Sequence, residues 1–304
     1  MTQAQRLKNL EAPKGKIDVV LDTDAYNEID DQFAIAYLLS AKEKLSAKAI
    51  YAAPFLNKKS TSAADGMQKS YDEILKLLSL MGEDVPVLKG SENYLADEAT
   101  PTVSPAAKDL AQRAEAYSPE HPLYVVAIGA ITNVASAILL NPKVAENTVV
   151  VWLGGHGRDF HDTKEFNMMQ DIAAARVVMG SGVPFVQLPC MGVVSAFTAS
   201  GPELERYFLG KSPIATYLAE NTAREVRSYV KEGRAWSRVI WDVTAVAWLL
   251  LEGDAQMLSR VVPVRLPGYD FKYEDTECAH VMRYVYYIRK DGLFNDLIAR
   301  VANR

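Results

Sequence analysis

Continuous apolar runs, rich in β-branched residues, alternate with helical segments over the first two thirds of this chain, and this alternation limits the folds it can adopt. The runs cover residues 17–21, 48–52, 85–88, 123–128, 149–153 and 184–188. Apolar residues recur at helical spacing in the intervening segments 34–39, 71–80, 106–116 and 133–140. Buried parallel strands have such runs, and right-handed crossover helices join them. The sequence therefore predicts an α/β fold with an open, mostly parallel sheet flanked by helices.

The pattern changes to longer helical segments between residues 212 and 251. Two segments with helical spacing, 213–232 and 241–251, follow each other, and Gly233 between them is a typical helix stop. No internal repeat, low-complexity tract or Pro/Ser-rich linker divides the sequence. We therefore expect residues 1–304 to form a single domain whose C-terminal part is more helical.

Composition excludes several classes of protein. The 304 residues carry 33 Lys and Arg against 38 Asp and Glu, a formal net charge of −5, which argues against a general binder of polyanions. With 49% hydrophobic and 23% charged residues the chain is neither disordered nor fibrous, and no apolar run approaches the roughly 18 residues of a membrane span. Cys190 and Cys278 are too few for a disulfide framework. We expect a cytoplasmic protein with no nucleic-acid or membrane partner.

Four aspartates lie where the first predicted strand gives way to a helix: Asp22, Asp24, Asp30 and Asp31. Ligands bind at the carboxyl ends of the strands in open α/β sheets, and carboxylates this close repel one another unless a cation or proton offsets their charge. Hard divalent ions such as Ca²⁺ and Mg²⁺ prefer oxygen ligands of this kind. Capping of the helix explains one aspartate, but not four. The spacing therefore favours a metal site.

Polar side chains also follow the second, fourth and fifth predicted strands: Asn57, Asn133, Asp159, Glu165 and Asn167. Taken singly, Asn133 is typical of a helix cap and Asn57 of a loop residue. Asp242 begins an otherwise apolar helix, where the helix dipole alone favours a carboxylate. Because the carboxyl ends of parallel strands meet at one edge, these side chains are candidates for the same site as the four aspartates.

Six motifs give the chain a resemblance to a known family. They are DTD…DD after the first strand, AAPFLN after the second, YDEILKLL leading into VPVLKG, IGAITNVASAI, LGG…KEFNMMQDIAAARVVM, and WDVTAVAWLL. In this order they resemble the nucleoside hydrolases, the inosine- and uridine-preferring ribohydrolases, over most of the chain. The resemblance implies an enzyme that cleaves the N-glycosidic bond of a ribonucleoside to release base and ribose. It also implies a homodimer or homotetramer.

The resemblance further implies which residues form the site. Asp24, Asp31, Asp242 and the main-chain carbonyl of Ile128 would hold Ca²⁺, and Asp22 would support them. Contacts with the ribose would come from Asp30, Asn57, Asp159, Glu165 and Asn167, and Trp241, which departs from the family pattern, would stack on the base. The reaction passes through an oxocarbenium-like sugar, so an activated water and negative charge near the ring suit it. Asp24 would take the proton of that water.

The loop between the two acidic pairs departs from the family pattern. Five residues, 25–29, stand between Asp24 and Asp30, where the common family form has Pro-Gly and one further residue. The longer loop either bulges with all four acids in place or removes one acid from the metal shell. We expect the bulge, with Asn27 or Glu28 adding a contact to the substrate or the ion.

A second departure concerns protonation of the leaving base. Purine-cleaving members often carry a histidine where this chain has Trp241, and an indole can stack on a base but not protonate it. The segment before Glu165 offers His156 and His161 as possible general acids, since histidine commonly transfers protons near neutral pH. A histidine in a loop is, however, more often only a solvated side chain.

Two other functions compete with this interpretation. A haloacid-dehalogenase-type phosphatase also has Asp-x-Asp after its first strand, but that pattern wants Thr or Val where this chain has Tyr26, and the remaining motifs would go unexplained. A ribosyl-binding protein of the same fold with weak or lost turnover is the other alternative, since Trp241 and the altered loop depart from the active pattern.

Overall fold

The computed structural model describes residues 1–251 and 256–303. The strands are β1 (Ile17–Thr23), β2 (Leu45–Ala52), β3 (Val87–Lys89), β4 (Leu123–Ala127), β5 (Thr148–Leu153), β6 (Phe185–Leu188), β7 (Thr198–Ser200), β8 (Ser237–Val239), β9 (Met257–Pro267) and β10 (Tyr273–Ile288). The helices are α1 (Gln3–Asn9), α2 (Asp30–Ser40), α3 (Ala63–Met81), α4 (Pro105–Arg113), α5 (Thr132–Leu140), α6 (Lys143–Asn147), α7 (Phe166–Gln170), α8 (Ile172–Gly180), α9 (Gly201–Tyr207), α10 (Pro213–Arg227), α11 (Val243–Leu250) and α12 (Lys290–Val301).

The main sheet has eight strands in the order β3-β2-β1-β4-β5-β6-β10-β9. Neighbouring strands from β3 through to β10 pair in parallel, and only β9 and β10 pair antiparallel in this sheet of the described chain. Strands β7 and β8 form a separate small antiparallel sheet. The predicted α/β class with a mostly parallel sheet is confirmed.

Both faces of the sheet are buried, and β1 shows how the sequence achieves this. Val19 and Leu21 belong to the core on one face, which the helices α2, α3, α10 and α11 cover, whereas Val20 belongs to the core on the other face, against α4, α5 and α8. Successive strand side chains point to opposite faces, so the next two residues continue this alternation. Asp22 therefore faces α5, and Thr23 faces α2.

The hairpin of β9 and β10 was not predicted from the sequence. Its residues lie at the edge of the sheet, and the first half of β10 is largely exposed to solvent. A strand that is buried over only half its length lacks the continuous apolar run by which β1 to β6 were found. Helices α10 and α11 occupy the two late segments that were predicted to be helical.

Two findings bear on the composition. Cys190 and Cys278 are both free cysteines. Within residues 1–251 and 256–303, no helix has the length and apolar character needed to cross a membrane.

Candidate active site

A cavity of about 250 Å³ opens at the carboxyl ends of β1, β4, β5 and β6. Its wall includes most of the predicted site residues: Asp24, Asp30, Asp31, Ile128, His156, Glu165, Asn167, Trp241 and Asp242. Ligand sites of open α/β sheets occur at this edge. The structure therefore brings together side chains that are up to 218 positions apart, from Asp24 to Asp242.

Asp22 lies behind this wall and is fully buried. Its Oδ1 accepts a hydrogen bond of 2.7 Å from Nδ2 of Asn133 in α5. Its Oδ2 has no hydrogen-bond partner among the described residues. Burial raises the pKa of Asp22 to about 7, and the bond from Asn133 offsets only part of that rise. Asn133, which by itself was typical of a helix cap, thus holds an acid behind the site.

Asp24 follows β1 and is also buried. A β-carbon added to Gly129 would lie 3.0 Å from Oδ1 of Asp24, so only glycine leaves ordinary room for this carboxylate beside the chain after β4. Its Oδ2 has no partner among the residues that the structure describes. Burial, followed by the nearby charges of Asp31 and Asp30, raises the pKa of Asp24 well above its ordinary value.

Three further carboxylates converge in the cavity. Asp30 and Asp31 form the first turn of α2, Asp242 immediately precedes α11, and one oxygen from each lies within 4.8 Å of the others. Oδ1 of Asp31 accepts a hydrogen bond of 2.5 Å from Oγ1 of Thr23. Burial raises the pKa of Asp31 to about 7, and burial with mutual repulsion raises those of Asp30 and Asp242 well above the ordinary range.

These carboxylates fit a hard divalent cation. They are buried, they offer oxygen ligands only, and the Oδ2 atom of Asp24 is left without a partner in the described chain. Uncompensated carboxylates this close are unfavourable unless protons or a cation neutralise them. The geometry groups Asp30, which was predicted to bind ribose, with Asp31 and Asp242, while Asp24 lines the same cavity.

The longer loop of residues 25–29 keeps Asp24 and Asp30 at one cavity. Within it, the main-chain N–H of Asn27 donates to the carbonyl of Asp24 at 2.7 Å, which closes a turn. Asn27 and Glu28 line the cavity as well. The Glu28 carboxylate pairs with Arg238 of β8 at 3.1 Å. The acids on either side of the loop, Asp24, Asp30 and Asp31, thus line one cavity.

Glu165 and Asn167 form the opposite wall. The Glu165 carboxylate accepts main-chain hydrogen bonds from Gly155, Asn167 and Met168 at 2.8 to 2.9 Å, and it therefore caps α7. Nδ2 of Asn167 donates to the carbonyl of Leu153 at 3.0 Å. Burial raises the pKa of Glu165, although these hydrogen bonds oppose the rise. Both side chains are fixed before any substrate binds.

The two histidines occupy different environments. Nδ1 of His156 accepts the main-chain N–H of Met191 at 3.3 Å, and burial lowers the pKa of this ring, so His156 is held neutral in the wall. The side chain of His161 is 78% exposed, pairs with Asp162 at 3.2 Å and lies outside the cavity lining. Trp241 is half-buried and lines the cavity beside Asp242.

Two other predicted residues lie off the described cavity wall. Asp159 is exposed, and Asn57 lies behind Asn27, to which its side chain hydrogen-bonds. Conversely, Cys190 was not predicted but lines the cavity and hydrogen-bonds Glu165. Cys190 follows β6 much as Asp24 follows β1, so the same strand-end argument applied to β6 would have found it.

Fold and site together define an α/β enzyme with an acidic, metal-type centre at the carboxyl edge of its sheet. Residues 19–281 match the model of the family described as inosine-uridine preferring nucleoside hydrolase, so the chain belongs to that family. This membership confirms the resemblance and the prediction of a hydrolase that acts on nucleosides. It leaves the phosphatase alternative without support. The family is metal-dependent, and the buried acidic cluster could bind a metal.

Relatives with assigned names are moderately similar to this chain. It is 27% identical to the pyrimidine-specific ribonucleoside hydrolase RihA of Citrobacter koseri over 280 residues, covering 83% of this chain and 85% of that protein. The RihA protein of Escherichia coli K12 is likewise 27% identical, over 287 residues, with the same two coverages of 83% and 85%.

Solved structures share the fold. A plant nucleoside hydrolase, PpNRh1, superposes with a TM-score of 0.74 at 19% identity and covers 96% of this chain and 100% of its own. A purine-preferring ribonucleoside hydrolase from Gardnerella vaginalis superposes with a TM-score of 0.70 at 16% identity, with coverages of 94% and 98%. At these identities the likeness supports the architecture alone.

Proposed function

We propose that this chain hydrolyses the N-glycosidic bond of ribonucleosides with Ca²⁺ as its cofactor. The observation that carries the proposal is the convergence of the buried carboxylates of Asp30, Asp31 and Asp242 at the carboxyl edge of the sheet, beside Asp24, whose Oδ2 has no partner in the described chain. Asp24, Asp31, Asp242 and the carbonyl of Ile128 would hold the ion, and all four residues line the cavity. Asp22 would support this shell from behind.

When bound, calcium would neutralise the carboxylates, acidify a water molecule and bind hydroxyl groups of the ribose. The side chains of the protein accept the proton and position the sugar. Asp24 accepts the proton of the attacking water, and Asp30, Glu165 and Asn167 hold the sugar hydroxyls. The negative charge around the ring stabilises the oxocarbenium-like transition state as the bond to the base breaks. Fixed side chains lower the entropic cost of reaching this geometry.

The base would leave on the side of Trp241, whose indole offers a stacking surface. The assignment of His156 or His161 as the group that protonates the leaving base stays a prediction. His156 requires release of Nδ1 from the Met191 N–H or donation from its other nitrogen, and His161 requires movement of its loop. Contacts of Asn57 and Asp159 with substrate likewise stay predictions, because neither lines the described cavity.

Three broader expectations accompany this proposal. They are a single domain over residues 1–304, a homodimer or homotetramer, and a cytoplasmic location. The first rests on the absence of a linker-like segment in the sequence, the second on the family resemblance and the third on the composition.

The decisive experiment incubates the purified protein with purine, pyrimidine and nicotinamide ribosides and measures free base and reducing sugar. We expect ribose release that a chelator abolishes and added Ca²⁺ restores. Binding of ribosides by calorimetry without any release of base would instead support the ribosyl-binding alternative. The metal content of Asp24→Ala and Asp31→Ala tests the shell, and unchanged stoichiometric Ca²⁺ in both variants would refute it.

A further inference from the structure

The longer loop places an amide side chain inside the acidic cavity. Asn27 is 7% exposed, lines the cavity and stands three positions before Asp30. Its main chain is held from both sides: the N–H donates to Asp24 at 2.7 Å, and the carbonyl accepts from Nζ of Lys59 at 2.7 Å. Nζ of Lys59 also pairs with Glu225 of α10 at 3.0 Å. The position of Asn27 is therefore set before any ligand binds.

A chain of hydrogen bonds fixes which end of this amide is free. The main-chain N–H of Lys59 donates to Oδ1 of Asn57 at 2.8 Å, so the donor end of Asn57, Nδ2, is turned toward Asn27. That Nδ2 donates to Oδ1 of Asn27 at 2.5 Å. A carboxamide has one acceptor atom and one donor atom. Because Oδ1 of Asn27 is the acceptor in this hydrogen bond, the donor atom Nδ2 remains available for another partner. Within residues 1–251 and 256–303, this Nδ2 donates no hydrogen bond.

A single N–H donor in a cavity of carboxylates can bind a hydroxyl oxygen, which the carboxylates cannot. A hydroxyl group has one hydrogen to donate and two lone pairs that accept. Asp30 and its neighbours can take the hydrogen of a sugar hydroxyl, but they cannot satisfy its lone pairs. Nδ2 of Asn27 is a preorganised N–H donor for that oxygen, in a cavity whose charged lining is mostly carboxylates.

We propose that Asn27 donates a hydrogen bond from Nδ2 to a ribose hydroxyl oxygen, and that Asn57 is the positioning residue that orients it. The inference rests on the proposed function and deepens it, because it moves the sugar contact expected of Asn57 to a residue of the longer loop. Asn57 is half-buried beside the cavity and acts through the amide of its neighbour.

A double-mutant cycle tests the relation between the two residues. Asn27→Ala should lower kcat/KM about tenfold, the usual effect of one lost hydrogen bond of about 1.4 kcal/mol. Asn57→Ala should lower it about threefold in the wild type but not further in Asn27→Ala. Asn27→Asp, which replaces the donor by a further carboxylate, should lower it about a hundredfold. Independent, multiplicative losses in the double variant would overturn the positioning role.

Asn9→Ala is the matched control for these variants. Asn9 is 5% exposed and forms an amide–amide hydrogen bond with Gln5 at 2.9 Å, far from the cavity lining. It should lower the thermal stability without changing kcat/KM. If Asn27→Ala behaves like Asn9→Ala, with lower stability and unchanged kinetics, the sugar contact is refuted even though the Asn27 variant folds less well.

The sugar itself supplies the second measurement. Nucleosides that lack the 2′-, 3′- or 5′-hydroxyl are used as competitive inhibitors of the wild type and of Asn27→Ala. The penalty of the mutation, about tenfold for the complete ribonucleoside, should vanish for the one analogue that lacks the contacted hydroxyl. An equal penalty for all three analogues would overturn the inference. A wild type that releases no ribose would instead contradict the proposed function.

Discussion

Buried aspartates in this protein differ in how completely their oxygens are hydrogen-bonded, and Asp171 contrasts with those of the candidate site. Asp171, which begins α8, is 3% exposed. Its Oδ1 accepts from the N–H of Ala174 at 2.9 Å, and its Oδ2 accepts from Thr132 at 2.6 Å and from the N–H of Leu95 at 3.0 Å. Every oxygen of this carboxylate therefore has a partner from the protein.

The aspartates of the candidate site are equally buried, but two of them are incompletely hydrogen-bonded. Oδ2 of Asp22 and Oδ2 of Asp24 have no partner in the described part of the chain, and Asp30, Asp31 and Asp242 point oxygens at one another. Burial alone thus does not distinguish a structural acid from a ligand-binding one. A carboxylate whose hydrogen bonds are complete stabilises the fold, whereas unsatisfied ones cost stability until a ligand compensates them.

The largest expected effect is on catalysis, from Asp242→Asn. This variant keeps the size of the side chain but removes a charged ligand, so we expect loss of bound Ca²⁺ and a fall in kcat/KM of about 1,000-fold. The free energy of unfolding of the metal-free protein should not fall, because one of several repelling carboxylates is gone. Metal analysis, kinetics and urea unfolding check this. Wild-type calcium affinity in the variant would contradict the contrast with Asp171.

Asp171→Ala should have the opposite effects, a loss of stability with little change in calcium binding or catalysis. The variant leaves the Thr132 hydroxyl and two main-chain N–H groups buried without their acceptor, and it removes the cap of α8. We expect the free energy of unfolding to fall by about 3 kcal/mol. Calcium affinity and kcat/KM of the folded protein should stay within about twofold, since they depend on other side chains. A selective loss of calcium binding would make Asp171 part of the site.

A further test uses the pH dependence of the stability of the metal-free protein. Asp22 and Asp31 have pKa values raised from 3.8 to about 7, so the folded, metal-free protein binds protons that the unfolded chain has already released. The free energy of unfolding should therefore fall as pH rises from about 4 to about 7, by up to about 1.4 kcal/mol per pH unit for each group. Saturating Ca²⁺ should remove most of this dependence, because the ion replaces the protons.

Urea unfolding between pH 4.5 and pH 8, with and without Ca²⁺, measures this slope. Asp31→Asn is the control, since it removes one of the carboxyl groups with a raised pKa and should make the metal-free slope shallower. A metal-free stability that rises with pH over this range would contradict the assignment of unsatisfied, protonated carboxylates to the site.

The sequence predicted strands β1 to β6 of the main sheet, but not the hairpin of β9 and β10. Strands β1 to β6 were found because both of their faces are buried, which produces apolar runs. The run in β1 ends at Leu21, but the strand continues to Thr23, because its pairing with β2 extends to Thr23 opposite Ala52. The half-exposed hairpin of β9 and β10 has no such signal, since its pairing depends on a partner distant in sequence.

The candidate site was predictable to a similar degree. Acids directly after a strand could be placed at one cavity, because the carboxyl ends of parallel strands meet there. The hydrogen bond by which Asn57 orients Asn27 could not be predicted from the sequence, since it joins two loop residues that are 30 positions apart. The full hydrogen bonding of Asp171 likewise depends on partners 39 and 76 positions away, so the sequence alone does not reveal it.

A matched pair of threonines gives the smallest and most direct test. Thr23 and Thr132 are both fully buried, and each donates its hydroxyl to an aspartate, Thr23 to Asp31 at 2.5 Å and Thr132 to Asp171 at 2.6 Å. Substitution by valine removes the same hydroxyl from both. Thr132→Val should lower the free energy of unfolding by about 1.5 kcal/mol and leave calcium affinity unchanged, because it breaks a completed structural network.

Thr23→Val should instead weaken calcium affinity about tenfold, because the hydroxyl of Thr23 orients the Asp31 carboxylate and favours its charged form. Its effect on the metal-free protein should be smaller than that of Thr132→Val below pH 7, since Asp31 is then largely protonated. Calcium titration followed by calorimetry, together with urea unfolding, measures both quantities for both variants. If the two substitutions reduce stability equally and neither alters calcium binding, hydrogen-bond completion does not separate structural from ligand-binding aspartates in this protein.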